Sequence, residues 1–259
     1  HGSEHSFPTR RSSDLNEIIN LVNKAGTVYV QDIMESMQVS DMTVRRDLIE
    51  LEKQGLLIRV RNGAKSNQFL PSRELPHEEK LLKNILAKRE VAKKASELIK
   101  EGESIFLGPG TSVEVLSEAI NNKELRVVTN CLPIFQELLK KKSDGFKVIL
   151  LGGELRETSQ AFVGEITNTL MERMYFHKMF FSGNGIVDGR VLTSSFEEAY
   201  TQKLALERSS EAYLLIDSSK IGKEDFTSIC SLKKVTAVIT DDASEKAHEE
   251  LEEYTRVIV

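Results

Sequence analysis

"VSDMTVRRDLIELEKQGLLIRVRNGAKS", Val39 to Ser66, changes its periodicity midway, and that change decides how the first part of the chain folds. Up to Gly55 the apolar residues keep helical spacing: Val44, Leu48 and Leu51 fall at i, i+4 and i+7, a stripe that one face of a helix buries. Ser40 stands where a side-chain oxygen can accept from a free N–H of the first turn, and Gly55 stands where helices end in the left-handed conformation. Beyond it, "LLIRVRNGAK" alternates apolar and basic residues before Asn62-Gly63, a hairpin signal.

Working upstream, Ile18, Ile19, Leu21 and Val22 follow Asp14 as a potential cap and mark a first helix stopped by Gly26. "TVYVQDIMESMQV" opens with alternating Val28 and Val30, then places Ile33, Met34 and Met37 at helical spacing, so a short extended piece leads into a second helix. Two helices, a short turn, a third helix and a basic hairpin make a winged helix-turn-helix. In that arrangement the third helix lies in the major groove of DNA with its N-terminal residues at the base edges. With Val44 and Leu48 buried, Met42, Thr43, Arg45, Arg46 and Ile49 fall on the outer face, and Arg45 and Arg46 can reach phosphate or guanine. Arg59, Arg61 and Lys65 set the hairpin against the DNA backbone. A lone Arg-Arg pair on a helix is more often a solvated charge; the cap, the stripe, the glycine stop and the basic hairpin together favour DNA contact.

Charge supports the same division. The 259 residues carry a formal net charge of −5, which excludes a uniformly basic nucleic-acid coat. Between Met42 and Lys65, however, Arg45, Arg46, Lys53, Arg59, Arg61 and Lys65 outnumber Asp47, Glu50 and Glu52. The length suits one small and one larger domain, and 40% hydrophobic content suits a sizeable core. Cys131 and Cys230 sit in apolar surroundings without metal or disulfide spacing, as buried free thiols of a reducing cytosol do. Beyond the first fifteen residues, His77, His177 and His248 are scattered and show no ligand pair at helical spacing. No apolar run approaches the roughly 18 residues of a membrane span. "HGSEHSFPTRRSSDL" lacks periodicity, so residues 1–13 are set aside as a tag or extraneous leader, a flexible basic arm being the alternative.

The stretch around Ser40, Thr43, Arg45, Arg46, Asp47 and Leu48 resembles the DNA-binding signature of the DeoR family of bacterial transcriptional regulators. That resemblance implies that this helix is the recognition helix, with Ser40, Met42, Thr43, Arg45 and Arg46 joined at the DNA by Arg59, Arg61 and Lys65 of the wing. Two positions depart from the family pattern. Arg61-Asn62-Gly63-Ala64 replaces the usual His-Gly-Gly-Ala and adds a charge, and Asp14 stands where an Arg is common.

After a polar, proline-containing linker (67–79), "HEEKLLKNILAKREVAKKASELIKEG" keeps helical spacing to Gly102 and predicts one long helix, either joining domains or forming a dimer surface, or packed on its own domain. From Ser104, short apolar strands ("SIFLG", "RVVTN", "KVILLGG", "KMFFSGNG", "AYLLIDS", "TAVIT") alternate with amphipathic helices, which predicts an α/β domain with a mostly parallel sheet covered on both faces. In such sheets ligands bind beyond the carboxyl ends of the strands. Those ends carry Gly108-Pro109-Gly110-Thr111 before a helix, Thr129-Asn130, Gly152-Gly153, Gly183-Asn184-Gly185, and Asp217 to Lys220. Glycines admit an anion to backbone N–H groups and Lys220 can counter a phosphate, so a phosphorylated small molecule is the expected ligand.

"GPGTS", "VVTN", "LLGGE", "FVG", "SGNGI" and "LLIDSSK" resemble the DeoR sensor domain, which is similar in fold to ribose-5-phosphate isomerase and glucosamine-6-phosphate deaminase. Within the family, "GPGT", "TNCLPIF", "LLGGELRETSQAFVG" and "SSKIGKEDF" resemble the repressors of lactose phosphotransferase systems. The resemblance implies a DNA-binding head (14–66), a phosphosugar-sensing domain (80–259) and a bacterial cytoplasmic protein found at the nucleoid when bound. It also implies operator DNA as partner, a homodimer or homotetramer, no cofactor, and a phosphorylated sugar, tagatose 6-phosphate, as inducer. Carried over, Gly108, Gly110, Thr111 and Ser112 meet the phosphate or near hydroxyls, while Thr129, Asn130, Gly153, Asn184, Glu198 and Lys220 line the rest of the pocket. The competing reading is a sugar-phosphate isomerase or deaminase with Glu198, Asp217 or Asp225 as base. No paired acid and base announces itself, and no histidine lies in a strand-end loop.

Overall fold

The computed structural model describes residues 10–66, 74–241 and 244–259; the expected leader up to residue 9 and linker residues 67–73 lie outside the described residues. The chain divides into two compact units, His1–Ser72 and Arg73–Val259.

In the first unit, α1 (Arg10–Ala25) precedes β1 (Thr27–Tyr29), α2 (Val30–Met37), α3 (Asp41–Lys53), β2 (Leu57–Val60) and β3 (Gly63–Ser66). Helix α1 starts earlier than expected, so Asp14 lies inside it rather than capping it, and part of the segment set aside as a leader is helical. Ile18, Val22, Ile33, Val44, Leu48 and Leu51 converge on one core closed by Leu57 and Ala64. At the start of α3 the Ser40 hydroxyl accepts from the Thr43 N–H, which satisfies one of the first-turn donors. The strands form a three-stranded antiparallel sheet in the order β1-β3-β2. Gly63 is required by contact: a Cβ there would lie 2.3 Å from the Val28 carbonyl oxygen of the neighbouring strand. The tight turn falls on Arg61-Asn62, and Asn62 adopts the left-handed conformation at φ 62°, which asparagine tolerates better than most residues.

The second unit opens with α4 (His77–Leu82) and α5 (Ile85–Ser96) rather than one long helix. Asn84 breaks them with a left-handed φ of 54°. Its amide donates to Asp217 Oδ1 and Ser219 Oγ, both at 2.9 Å, and buried Lys88 reaches back to the carbonyls of Lys80, Leu81 and Lys83 at the open end of α4. Periodicity runs through the break because both helices bury an apolar face on the same unit. Residues 77–79, expected in the linker, therefore belong to α4.

Next come β4 (Ser104–Leu107), α6 (Thr111–Ala119), β5 (Leu125–Thr129), α7 (Leu132–Leu139) and β6 (Phe146–Leu150). A hairpin of β7 (Glu154–Arg156) and β8 (Ala161–Val163) leads to α8 (Glu165–Met171) and β9 (Phe176–Phe181). The remainder is β10 (Gly185–Val187), β11 (Arg190–Thr193), α9 (Phe196–Glu207), β12 (Ser209–Leu215), β13 (Thr227–Ser231), β14 (Ala237–Ile239), α10 (Glu245–Glu252) and β15 (Arg256–Ile258). Seven strands form one parallel sheet in the order β15-β14-β12-β9-β4-β5-β6. Because successive side chains alternate faces, each apolar run feeds two cores. Ile105 and Leu107 pack with α5, α6 and α7 on one side, while Phe106 packs on the other with residues of α8, α9 and α10. The chain builds outward from β4 to β6, then returns to place β9 on the other side of β4. That reversal between β4 and β9 is a topological switch point, where doubly wound sheets leave a crevice at the carboxyl ends. The hairpin β7–β8 and the small antiparallel sheet β10-β11-β13, unexpected from the sequence, stand among these connections.

Candidate functional site

On the outer face of α3, Met42 is 80% exposed, and Arg45, Arg46 and Ile49 are exposed beside it. Thr43 is half-buried because its hydroxyl lies 3.0 Å from Ser40 Oγ, so Ser40 and Thr43 shape the start of the helix as well as facing outward. Arg45 Nε donates to Asp41 Oδ1 at 2.7 Å, and this partner pushes its pKa further up. Arg46 is more available. Its Nε lies 3.6 Å from Asp47 Oδ1, outside hydrogen-bonding distance, and its side chain is 64% exposed. Asp47 itself is buried, and its Oδ1 has no hydrogen-bond partner among the described residues. In the wing, Arg59 donates from Nε to Glu52 Oε2 at 2.6 Å and from its backbone N–H to Oε1 at 3.2 Å, which draws the Glu52 carboxyl below its usual range. Arg61 is exposed at the turn, and Lys65 is half-buried on β3.

In the second unit a cleft forms at the switch point. Pro109, Gly110 and Thr111 contribute from the end of β4, and Ser182, Gly183 and Asn184 from the end of β9. Thr193, Glu198 and Gln202 approach from β11 and α9, Lys220 from the turn after β12, and Glu74, His77 and Lys80 from the segment that carries α4. Of the residues expected at a ligand, Gly110, Thr111, Asn184, Glu198 and Lys220 come together here.

Gly108, Ser112, Thr129, Asn130 and Gly153 do not line the cleft; they hold its walls. Gly108 donates its N–H to the Phe180 carbonyl, and a Cβ there would lie 3.2 Å from Gln202 Oε1. Ser112 is buried in α6 and its hydroxyl finds no partner among the described residues. Thr129 Oγ1 donates to the Leu107 carbonyl and accepts from the Cys131 N–H, tying β5 to β4. Asn130 donates from Nδ2 to the Phe162 carbonyl, and a Cβ on Gly153 would lie 2.2 Å from Thr167 Oγ1. Strand-end polarity marks the edge of the sheet at which the cleft opens without telling which side chains turn inward.

Charged side chains of both signs set the chemistry of the cleft, Lys80 and Lys220 beside Glu74 and Glu198. Lys220 Nζ donates to the Gly183 carbonyl at 2.8 Å, and burial brings its pKa down to about 8 against the opposing pull of Asp217. Arg156, at the end of β7, donates from Nη1 to Glu198 Oε1 at 3.3 Å and from Nη2 to Glu74 Oε2. Lys80 Nζ donates to Glu74 Oε1 at 2.5 Å and Ser194 Oγ to Glu74 Oε2 at 2.7 Å. Burial works to raise the Glu74 carboxyl, but these donors outweigh it and bring the pKa down to about 2. Burial raises Glu198, with Arg156 pulling the other way. Gln202, 2% exposed, leaves its Oε1 without a partner among the described residues. His77 Nε2 lies 2.5 Å from Glu114 Oε2.

The carboxylates considered as catalytic bases have structural partners. Asp217 meets Asn84 and Ser219, Asp225 accepts from Asn184 Nδ2 at 2.7 Å, and Glu198 faces Arg156. Sequence reading missed Glu74, His77, Lys80, Thr193 and Gln202, missed Ser159, which also lines the cleft, and missed Arg156, which bonds Glu74 and Glu198. Arg156 stands inside "LLGGELRETSQ", three residues after Gly153, and no local pattern distinguishes it from a solvated arginine. Among the described residues, no cluster of His, Cys, Asp or Glu could hold a metal, and no helix is long and apolar enough to cross a membrane. Cys131 and Cys230 are buried free thiols, each raised to about 12 by burial.

Residues 15–69 match the DeoR-like helix-turn-helix domain, and residues 83–242 match the DeoR C terminal sensor domain. The chain is 55% identical to the lactose phosphotransferase system repressor of Streptococcus mutans over 96% of its own length and 99% of the relative's. It is 53% identical to the repressor of the same name from Staphylococcus epidermidis, covering 94% of this chain and 97% of the relative. Among solved structures, ribose 5-phosphate isomerase A of Methanocaldococcus jannaschii aligns over 54% of this chain and 56% of its own, at 15% identity and a TM-score of 0.40. Pyrococcus horikoshii translation initiation factor eIF-2B aligns over 90% of this chain and 96% of its own, at 16% identity and a TM-score of 0.43. The two matched domains and the extended identity to repressors establish that the chain belongs to the DeoR family of transcriptional regulators, and that it is a regulator rather than an enzyme.

Proposed function

We propose that this protein represses a sugar-catabolic operon by binding operator DNA through α3 and the wing, and that a phosphorylated sugar in the cleft of the second unit lowers that affinity. The carrying observation for DNA is the outer face of α3. Arg46 is free to reach a guanine or a phosphate, Met42 and Ile49 lie beside it, and Arg45 is held only by an exposed pair with Asp41. Such exposed pairs exchange partners readily because solvent screens them.

For the effector, the support is that Lys80 and Lys220 line the cleft together with Gly110-Thr111 at the α6 N-terminus, while Arg156 bonds the lining residues Glu74 and Glu198. A guanidinium, two ammonium groups and free helix N–H groups suit a phosphate, and Gln202, Thr193 and Asn184 suit sugar hydroxyls. Relatives named lactose phosphotransferase system repressors favour a lactose system as the controlled pathway, and the inducer that the sequence resemblance implies is tagatose 6-phosphate. Switching a two-state repressor from about 1:99 to 99:1 needs about 5.5 kcal/mol of differential binding. A site with three cations and several hydroxyl partners can supply it. Exposed Ile166, Leu170, Phe196, Tyr200 and Phe226, with Phe196 and Phe226 in edge contact at 4.9 Å, support self-association into a homodimer or homotetramer.

Operator fragments retarded by the purified protein and released by tagatose 6-phosphate, but not by unphosphorylated tagatose, would support the reading. Retention of operator at saturating tagatose 6-phosphate and across a panel of other sugar phosphates would refute the effector assignment. Sedimentation of the free protein as a monomer would refute the oligomer.

A further inference from the structure

The cleft already contains an anion, and the chain supplies it. Glu74 places its carboxylate between Arg156 Nη2, Lys80 Nζ and Ser194 Oγ, three donors drawn from β7, α4 and the loop after β11. A planar guanidinium, an ammonium and a hydroxyl converging on two oxygens is the donor set that recognises a phosphate monoester. The side chain of Glu74 is 12% exposed, so this is an inward-turned carboxylate rather than a surface pair. With it in place the cleft has a volume of about 40 Å³. At ~10–15 Å³ for each water, that is space for a few waters beside the carboxylate.

We propose that Glu74 is an internal stand-in for the effector's phosphate: the incoming phosphate takes Arg156, Lys80 and Ser194 from it, and its expulsion releases the strap of residues 74–82 from the sensor. This rests on the reading of the cleft as a phosphosugar site and names the regulation of that site. The strap is otherwise fastened by Leu81 against the core and by polar contacts near the same cleft. His77 meets Glu114 of α6, Lys88 holds the end of α4, and Asn84 donates to Asp217 and Ser219 in the turn that delivers Lys220. Loss of the Glu74 anchor therefore acts on a segment whose two ends both report on pocket residues. In sequence, that segment directly follows the residues that join the sensor to the DNA-binding unit, which makes it the natural carrier of the signal. Displacement conserves charge complementarity: the cations exchange one anion for another, and Glu74 regains water. Two like charges cannot share the three donors, so phosphate and carboxylate occupy them in turn.

The test uses the full-length chain and tagatose 6-phosphate as probe, with other sugar phosphates as a fallback panel. Glu74→Gln keeps the shape and removes the competing charge, so calorimetric titration should give a Kd about tenfold lower than for the native protein. Equal or weaker binding in the variant would overturn the proposal, because Glu74 would then be a bystander or a partner of the sugar. Hydrogen exchange of the native protein provides a reading independent of the variant's folding. Ligand should slow exchange at Gly110–Thr111 and speed it across residues 74–82; slower exchange in both segments would overturn the proposal. Failure of every sugar phosphate to bind either form has a separate signature: it removes the phosphosugar reading, and the displacement proposal with it.

Discussion

Arg156→Met removes the charge between Glu74 and Glu198 and leaves an unbranched stem of similar reach. The side chains of Arg156, Glu74 and Glu198 are 23%, 12% and 6% exposed, so solvent screens them only in part. The fall of the Glu74 carboxyl from 4.5 to about 2 corresponds to about 3 kcal/mol in favour of its ionised form, at ~1.36 kcal/mol per unit. Lys80 and Ser194 share that effect, which leaves about 1–2 kcal/mol for Arg156 at Glu74. Losing the same cation beside Glu198 drives that already raised carboxyl further up. The sensor unit should lose about 2–3 kcal/mol at pH 7, just below the roughly 3–5 kcal/mol typical of breaking a fully buried pair.

The pH dependence carries a definite sign. Glu74 has a depressed folded pKa, so its stabilisation is complete above the ordinary carboxyl value of 4.5 and fades as pH falls through about 2. Glu198 has a raised one, so its ionisation penalises the folded state increasingly as pH rises above that ordinary value. At pH 4 folded Glu74 is still ionised, so it is chiefly the Glu198 effect that makes the variant's deficit larger at neutral pH than at pH 4. The chain contains no Trp, so the assay is native-state hydrogen exchange at the amides of β4 and β9, which isolates the second unit. A variant as stable as the native protein at pH 7, or a deficit equal at pH 7 and pH 4, would refute this account of the ion cluster.

Three further outcomes are expected. Gly63→Ala presses a Cβ to 2.3 Å from the Val28 carbonyl and should destabilise the first unit by about 1–3 kcal/mol, seen as a lower melting midpoint by circular dichroism; an unchanged midpoint would mean that the strands can separate freely. Arg46→Ala should weaken operator binding by about 1–3 kcal/mol in gel retardation while the affinity for tagatose 6-phosphate stays constant; full retention of operator binding would remove Arg46 from the interface. Lys220→Ala should leave operator binding intact yet abolish release by inducer, and normal induction in that variant would exclude Lys220 from the site.

Much of the first unit could be read from its sequence because each signal there is local. Ser40, the stripe through Val44, Leu48 and Leu51, and Gly55 each act within a few residues of one another. The parallel sheet was equally legible, since runs such as Ile105 to Leu107 are apolar on both faces and only a doubly covered sheet accepts that. What escaped reading depends on contacts between distant segments. Asn84 ends a helix through Asp217 and Ser219, more than a hundred residues away. Asp14 looks like a cap only when the residues before it are discounted. Arg156 and Glu74 become a pair only after the β7–β8 hairpin folds over the cleft. The glycines at strand ends point to the edge where the cleft opens, but Gly153 and Gly108 serve packing, a distinction that needs their neighbours' coordinates.

The pairs Arg45–Asp41 and Arg59–Glu52 have a consequence for how this protein should respond to ionic strength. Each phosphate neutralised by a free cation releases about 0.9 of a condensed counterion, and that release sets the slope of affinity against salt. An arginine that must leave its own carboxylate leaves behind an anion that attracts a cation from solution, which offsets part of the gain. The slope for this protein should therefore be shallower than the basic residues of α3 and the wing would suggest, and operator binding should tolerate changes in cellular salt. Replacing Glu52 and Asp41 with neutral residues would steepen it, raising affinity most at low salt and doing so for any DNA sequence.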